Sequence, residues 1–189
     1  MRAPESAPES APTPLPPPAA AVVVPDIPTQ RTELVPAVAV VVPVRVQVPD
    51  AGIDVTIEPV GVLGSGEMQL PADTRVAGWY EYGPAPSSAA GTTILAAHVD
   101  SLAYGLGPFS KLKSIDAGAA AIVTTADGTT HPYTITAIDR VAKTDISLDA
   151  VFDRTGASQL VMITCGGQFD YDTRHYLDNV LVTALPAAG

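Results

Sequence analysis

Leu160-Val161-Met162-Ile163-Thr164-Cys165-Gly166-Gly167 opens on four apolar residues, two of them β-branched, and closes on two glycines. A short apolar run bounded by turn residues reads as a buried strand, here predicted to end at Cys165. Its neighbours in sequence share the texture. Thr92-Thr93-Ile94-Leu95-Ala96-Ala97 is a second apolar run and leads directly into His98. Asn179 to Leu185 is a third, closing the chain. Between them, Ala121-Ile122-Val123-Thr124-Thr125, then Ala126-Asp127-Gly128, then Tyr133 to Ile138 reads as a hairpin, because Asp-Gly supplies a tight turn's left-handed residues.

Upstream, Val44, Val46 and Val48 alternate with Arg45 and Gln47, the period-two pattern of a half-buried strand. Val55-Thr56-Ile57 is a further β segment, and Gly61, Gly64, Gly66 and Pro71-Ala72-Asp73 mark turns. Phe109-Ser110-Lys111-Leu112 is long enough for one helical turn. No segment carries a long 3.6-residue period. Many short strands with Gly and Pro punctuation make this an all-β chain, a barrel or a sandwich with few and short helices.

The 189 residues have room for one globular domain. Residues 1–43 hold eleven of the nineteen prolines and no aromatic residue, so they are expected to form a Pro/Ala/Val-rich extended arm or linker. The folded domain is expected over 44–189. Neither Ala19–Val24 nor Val35–Val42 approaches the roughly 20 apolar residues of a membrane helix. No signal-peptide pattern follows Met1, so the chain as given is expected to be soluble, without a membrane tether of its own. Ten Lys+Arg against twenty Asp+Glu give a net charge of −10, which argues against nucleic acid as a partner.

A single cysteine excludes an intramolecular disulfide. By composition alone Cys165 is a small buried hydrophobe, since free cysteine is among the most buried residue types. Its position changes that reading. A thiol at a strand exit before two glycines is carried by a rigid element and can be approached closely by another chain. A nucleophilic thiol needs a proton partner and a donor for the oxyanion of the tetrahedral intermediate. Of three histidines, His131 belongs to a hairpin end, and His175 abuts Arg174, whose charge disfavours an imidazolium. His98, at the end of a core strand, mirrors the placement of Cys165. Arg174 lies nine residues beyond the cysteine, far enough for a turn to bring a guanidinium back beside it; the plainer reading is an ion pair with Asp170, Asp172 or Asp178.

Other site chemistries find less support. No close Cys/His spacing suits zinc, no Gly-rich loop suits phosphate, and no Gly-x-Ser-x-Gly elbow is present. Asp170, Asp172 and Asp178 match no calcium loop. No metal or other cofactor is expected.

Together these residues resemble the sortase family. The resemblance runs from about Val44 to Leu185. Its carriers are Val60-Gly61-Val62, Ala77-Gly78-Trp79-Tyr80, Ile94 through His98-Val99-Asp100, Leu160 through Gly167, and Phe169-Asp170 through Arg174, Tyr176 and Asp178-Asn179-Val180. His-Val-Asp, Trp-Tyr and Asp-Asn-Val are most similar to the actinobacterial class F group, with class E next. Ala97 stands where sortases commonly have glycine.

The resemblance implies an eight-stranded β-barrel with a Cys165, His98 and Arg174 active site. Cys165 would attack the Thr-Gly bond of a Leu-Pro-x-Thr-Gly-like sorting signal of a surface protein. His98 would protonate the leaving amine, and Arg174 would hold the oxyanion or a substrate carbonyl. An amine from a cell-wall precursor would then resolve the acyl-thioester, with water as the default acceptor. In the family the thiol and imidazole are thought to rest mostly neutral. Thr164 would line the substrate groove. The implied setting is the extracytoplasmic face of the membrane or the cell wall, and the expected state a monomer. Papain-like and amidase enzymes place Cys before His, and the Ser-x-Gly-Cys of L,D-transpeptidases is absent. The remaining alternative is a catalytically silent β-barrel binding module with a structural Cys165.

Overall fold

The computed structural model describes residues 40–188, all within one compact unit, Val38–Gly189. Of the arm expected over 1–43, only 40–43 fall in this range; the rest lies outside the described residues. Ten strands run in chain order: β1 (Pro43–Val48), β2 (Ile53–Val60), β3 (Val76–Tyr80), β4 (Thr92–Ala96), β5 (Asp100–Ser101), β6 (Gly105–Leu106), β7 (Ala120–Thr125), β8 (Thr130–Ala142), β9 (Gln159–Asp170) and β10 (His175–Pro186). Eight of them close a barrel in the order β1-β2-β3-β4-β9-β10-β8-β7, with β7 pairing back onto β1. β5 and β6 form a separate two-stranded ribbon after His98. Helical structure among the described residues is confined to 3-10 turns at Pro49–Ala51 and Pro108–Ser114 and one turn of α1, Leu148–Val151. None of these is long and apolar enough to cross a membrane.

Closure follows from the side-chain period. In β2, Ile53, Val55 and Ile57 are buried while Asp54, Thr56 and Glu58 face solvent. On β9 Leu160 and Met162 are fully buried in one core with Val180, Val182 and Ala184 of β10, and Val161 between them is buried as well. Phe109 and Leu112, also without exposed surface, seat the second 3-10 helix on this core. Each such side chain contributes roughly 1.5–3 kcal/mol of burial. The expected hairpin forms as β7 and β8, with Thr124 opposite Thr130.

Two local expectations are corrected. Val44 does not join Val46 and Val48 inside; it stays 38% exposed, and Pro43 is buried instead. The register of β1 on β7 shifts between Pro43 and Arg45, so Val44 is the extra residue of a bulge and the alternation resets there. The second correction concerns β9, which does not end at Cys165 but runs to Asp170.

The parallel pairing of β4 with β9 positions the chemistry. Its register ends at Ala96 opposite Ile163, while β9 continues paired with β10. Cys165 therefore sits just past the point where β9 loses its neighbour on one side.

Candidate active site

β4 and β9 run in the same direction, so the residues leaving them stay side by side. Ala96 is opposite Ile163. The Ala97 amide donates to the Ile163 carbonyl at 3.1 Å. The Thr164 hydroxyl, buried to 4% exposure, donates back to the Ala97 carbonyl at 2.8 Å. This clamp carries the register two residues past the strand end and brings the next pair, His98 and Cys165, to the same rim. Both are half-buried. Gly107, whose amide donates to the Val99 carbonyl at 2.8 Å, packs against the His98 backbone so closely that a Cβ would lie 2.8 Å from its carbonyl oxygen.

Gly166 and Gly167 do not end the strand. On β10 the register steps two residues, from Tyr176 to Asp178, while β9 steps three, from Phe169 to Gly166. The surplus residue is a bulge, and Gly167 occupies it at φ +76°, a conformation open chiefly to glycine. A Cβ on Gly166 would meet the Val180 Cγ2 at 2.8 Å.

Beyond the bulge, Tyr171–Arg174 form the turn that returns the chain as β10. Asp170 caps it: its carboxylate accepts from the Asp172 amide and the Thr173 hydroxyl, each at 2.9 Å. These bonds hold its carboxyl below the usual carboxylate range. Arg174 is exposed and takes φ +58°, the single non-glycine positive φ among the described residues. No ion pair to Asp170, Asp172 or Asp178 engages it among the described residues.

Three clefts open around this rim, and Cys165 is the one residue common to all three. The central cleft, about 590 Å³, is lined by Cys165, His98 and Arg174 together. The second, about 420 Å³, is largely apolar, lined by Met68, Leu70, Ile146, Leu148, Phe152 and Leu181, with Thr164, and with Glu67 and Lys143 as its charged residues. The third, about 380 Å³, carries Lys111, Lys113 and Arg140 along its wall and also reaches Thr164. His131 stands apart on β8, its Nε2 3.2 Å from the Thr125 hydroxyl. His175 lies in the central cleft beside Arg174.

The sequence reading gave no role to Tyr176, which lines the central and cationic clefts. Its hydroxyl donates to the Asp100 carboxylate at 2.6 Å, tying β10 to the segment just after His98. That bond, followed by burial and the Asp100 charge, pushes the phenol up to about 12. Phe169 packs edge-on against Tyr176 and Tyr171, both with ring centroids 5.1 Å apart. Seventy-six residues separate Asp100 from Tyr176, and no local pattern pairs them.

The arrangement joins a half-buried thiol, an imidazole and a guanidinium in one cleft, which suits nucleophilic acyl transfer. Comparison with known proteins bears on the family and the fold. A family model described as the sortase domain matches residues 46–187. Among solved structures, sortase C-1 from Actinomyces oris superposes with a TM-score of 0.60 at 17% identity, over 77% of this chain and 73% of that one. The Group B Streptococcus pilus island 1 sortase C2 gives 0.56 at 21%, over 77% and 73%. Listeria monocytogenes sortase A gives 0.54 at 15%, over 79% and 89%. A search of curated proteins returned no match.

Proposed function

The chain belongs to the sortase family of cysteine transpeptidases, and from that premise we propose that it cuts the Thr-Gly bond of a Leu-Pro-x-Thr-Gly-like sorting signal and transfers the acyl part to a cell-wall amine. The observation that carries the reading is the meeting of three clefts at Cys165, with His98 and Arg174 on the central one. In this reading the apolar Leu-Pro portion of the signal occupies the cleft of Met68, Leu70 and Phe152, which Thr164 also lines. Burial of those apolar side chains supplies the affinity.

The Cys165 thiol gives its proton to His98 as its sulfur attacks the threonine carbonyl carbon. The Arg174 guanidinium donates to the oxyanion, and the imidazolium returns the proton to the departing amine as the C–N bond breaks. A thioester remains on Cys165. The acceptor amine then forms a new amide as the C–S bond breaks.

Sortases act at the cell surface, and we place this chain at the extracytoplasmic face of the membrane, acting as a monomer, with residues 1–43 as the spacer. His98-Val99-Asp100, Trp79-Tyr80 and Asp178-Asn179-Val180 favour class F over class E within the family.

The test is incubation with a panel of sorting-signal peptides, with and without amines, followed by mass spectrometry of products and of the acyl-enzyme. Cys165→Ala abolishes turnover. His98→Ala and Arg174→Ala each lower it by about a hundredfold or more, with the fold retained. Absence of cleavage and of acyl-enzyme in the wild type across the panel, with a thiol inert to alkylation in the folded protein, leaves the silent binding module instead.

A further inference from the structure

The transpeptidase reading leaves one of the three clefts without a ligand. Its wall carries Lys111, Lys113 and Arg140, and no carboxylate lines it. This is notable in a chain of net charge −10 that has only ten Lys and Arg in all. Placing three of those ten beside one cleft reverses, locally, the sign of the surrounding field. The cations come from separate elements, Lys111 and Lys113 from the 3-10 helix at Pro108–Ser114 and Arg140 from β8, so they converge through the fold rather than through one charged run.

Their placement is built. The Lys111 ammonium donates to the Gly52 carbonyl, outside the cleft lining, at 3.0 Å, which leaves Lys113 and Arg140 as the cations open to a ligand. Arg140 lies opposite Val180 on β10, which lies opposite Thr164 on β9, one row from Cys165, and it lines the same cleft as the thiol. Neither Lys113 nor Arg140 is engaged by a carboxylate among the described residues.

Resting on the transpeptidase reading, we propose that this cleft is the acceptor site, and that it takes an amine carried by a carboxylate-bearing peptide. A bare amine has no reason to enter: as an ammonium it is repelled by three cations. A carboxylate on the same molecule reverses that balance and forms charge-assisted hydrogen bonds with Lys113 and Arg140. The same cations lower the pKa of the acceptor ammonium, raising the share of neutral amine that can attack. The nitrogen lone pair forms the C–N bond, the C–S bond breaks with its electrons going to Cys165 sulfur, and the extra proton on nitrogen passes to His98.

The full chain is acylated with a Leu-Pro-x-Thr-Gly peptide and offered two acceptors, a lysine-containing peptide ending in a free carboxylate and the same peptide amidated. Mass spectrometry reads transfer against hydrolysis and gives a KM for each acceptor. Amidation is expected to raise KM about tenfold. That preference shrinks between roughly 0.05 and 0.5 M salt and falls toward unity in Lys113→Gln/Arg140→Gln. Equal KM values in the wild type overturn the assignment whatever the variant does, as does a preference that survives the double substitution. Failure of any acyl-enzyme to form removes the transpeptidase reading itself, and the acceptor site with it.

Discussion

Thr164→Val separates the packing of the active-site rim from its chemistry. Valine keeps the shape of threonine and replaces the hydroxyl with a methyl group. That hydroxyl is buried and donates to the Ala97 carbonyl at 2.8 Å, where β4 has ended and no further ladder holds His98 beside Cys165. Removing the donor forfeits a neutral hydrogen bond and strands a carbonyl in a dry site, together about 1–3 kcal/mol. For a folded unit of this size, about 2 kcal/mol lowers Tm by roughly 4–8 °C. The rim then loses its clamp, and the His98 to Cys165 alignment loosens. A misplacement of about 1 Å costs on the order of a hundredfold in rate. Thermal unfolding and the rate of acyl-enzyme formation, measured by quenched mass spectrometry, read the two effects. Thr164→Ser, which keeps the hydroxyl, recovers most of the acylation rate while losing some stability to the missing methyl. A Thr164→Val protein that melts with the wild type and acylates as fast refutes the clamp. A valine variant that loses rate, and a serine variant that loses it equally, would instead assign the effect to the methyl's packing.

Three further outcomes follow from the same geometry. Arg174→Gly relieves the positive φ and raises stability by about 1 kcal/mol over Arg174→Ala, yet both lose turnover alike; melting curves set beside activity check this. Gly167→Ala puts a Cβ against the Asp178 side chain at a φ that alanine resists, so chemical denaturation is expected to show a loss of about 1–2 kcal/mol or more. Tyr133, raised to about 12 first by burial, and Tyr176, raised to about 12 first by Asp100, give two phenols that ionise near pH 12 in an absorbance titration; Tyr176→Phe removes one. Because both pKa values lie above the ordinary 10, the stability these neutral phenols contribute is complete below about pH 10 and is lost as pH rises through 12.

The barrel was legible where a strand is half-buried or wholly buried, because burial alone writes the pattern. β2, β4, β7 and the core half of β9 all read correctly from apolar spacing. The misreadings came at bulges. Val44 and Gly167 each add a residue to one strand only, and a one-residue surplus is a relation between two strands that neither sequence contains. For the same reason Gly166-Gly167 read as a strand end. The glycines are required, but by a left-handed bulge and by Val180 and Asp178 crowding in from β10. The candidate site divides in the same way. Cys165 and His98 could be proposed because each follows an apolar run. The Asp100 to Tyr176 bond, the apolar cleft and the convergence of Lys113 with Arg140 are products of closure, and have no local signature.

The topology also bears on how, in the proposed reaction, a single thiol would serve two substrates. A cysteine in the middle of a barrel strand is flanked by neighbours on both edges, leaving at most one face for a ligand. Cys165 is flanked by β10 on one edge only, since β4 has stopped one turn of the ladder earlier at Ala96. On the vacated edge stands His98, which opens the central cleft. Two further clefts meet at Cys165, and they differ in character. The one lined by Ile163 and Leu181 is largely apolar. The one lined by Val180 and Arg140 is cationic. In the proposed reaction an acyl donor and an acceptor of different character would reach the same sulfur through different clefts. The proposed transfer uses this geometry, with the thioester seated in one cleft while the amine enters through another.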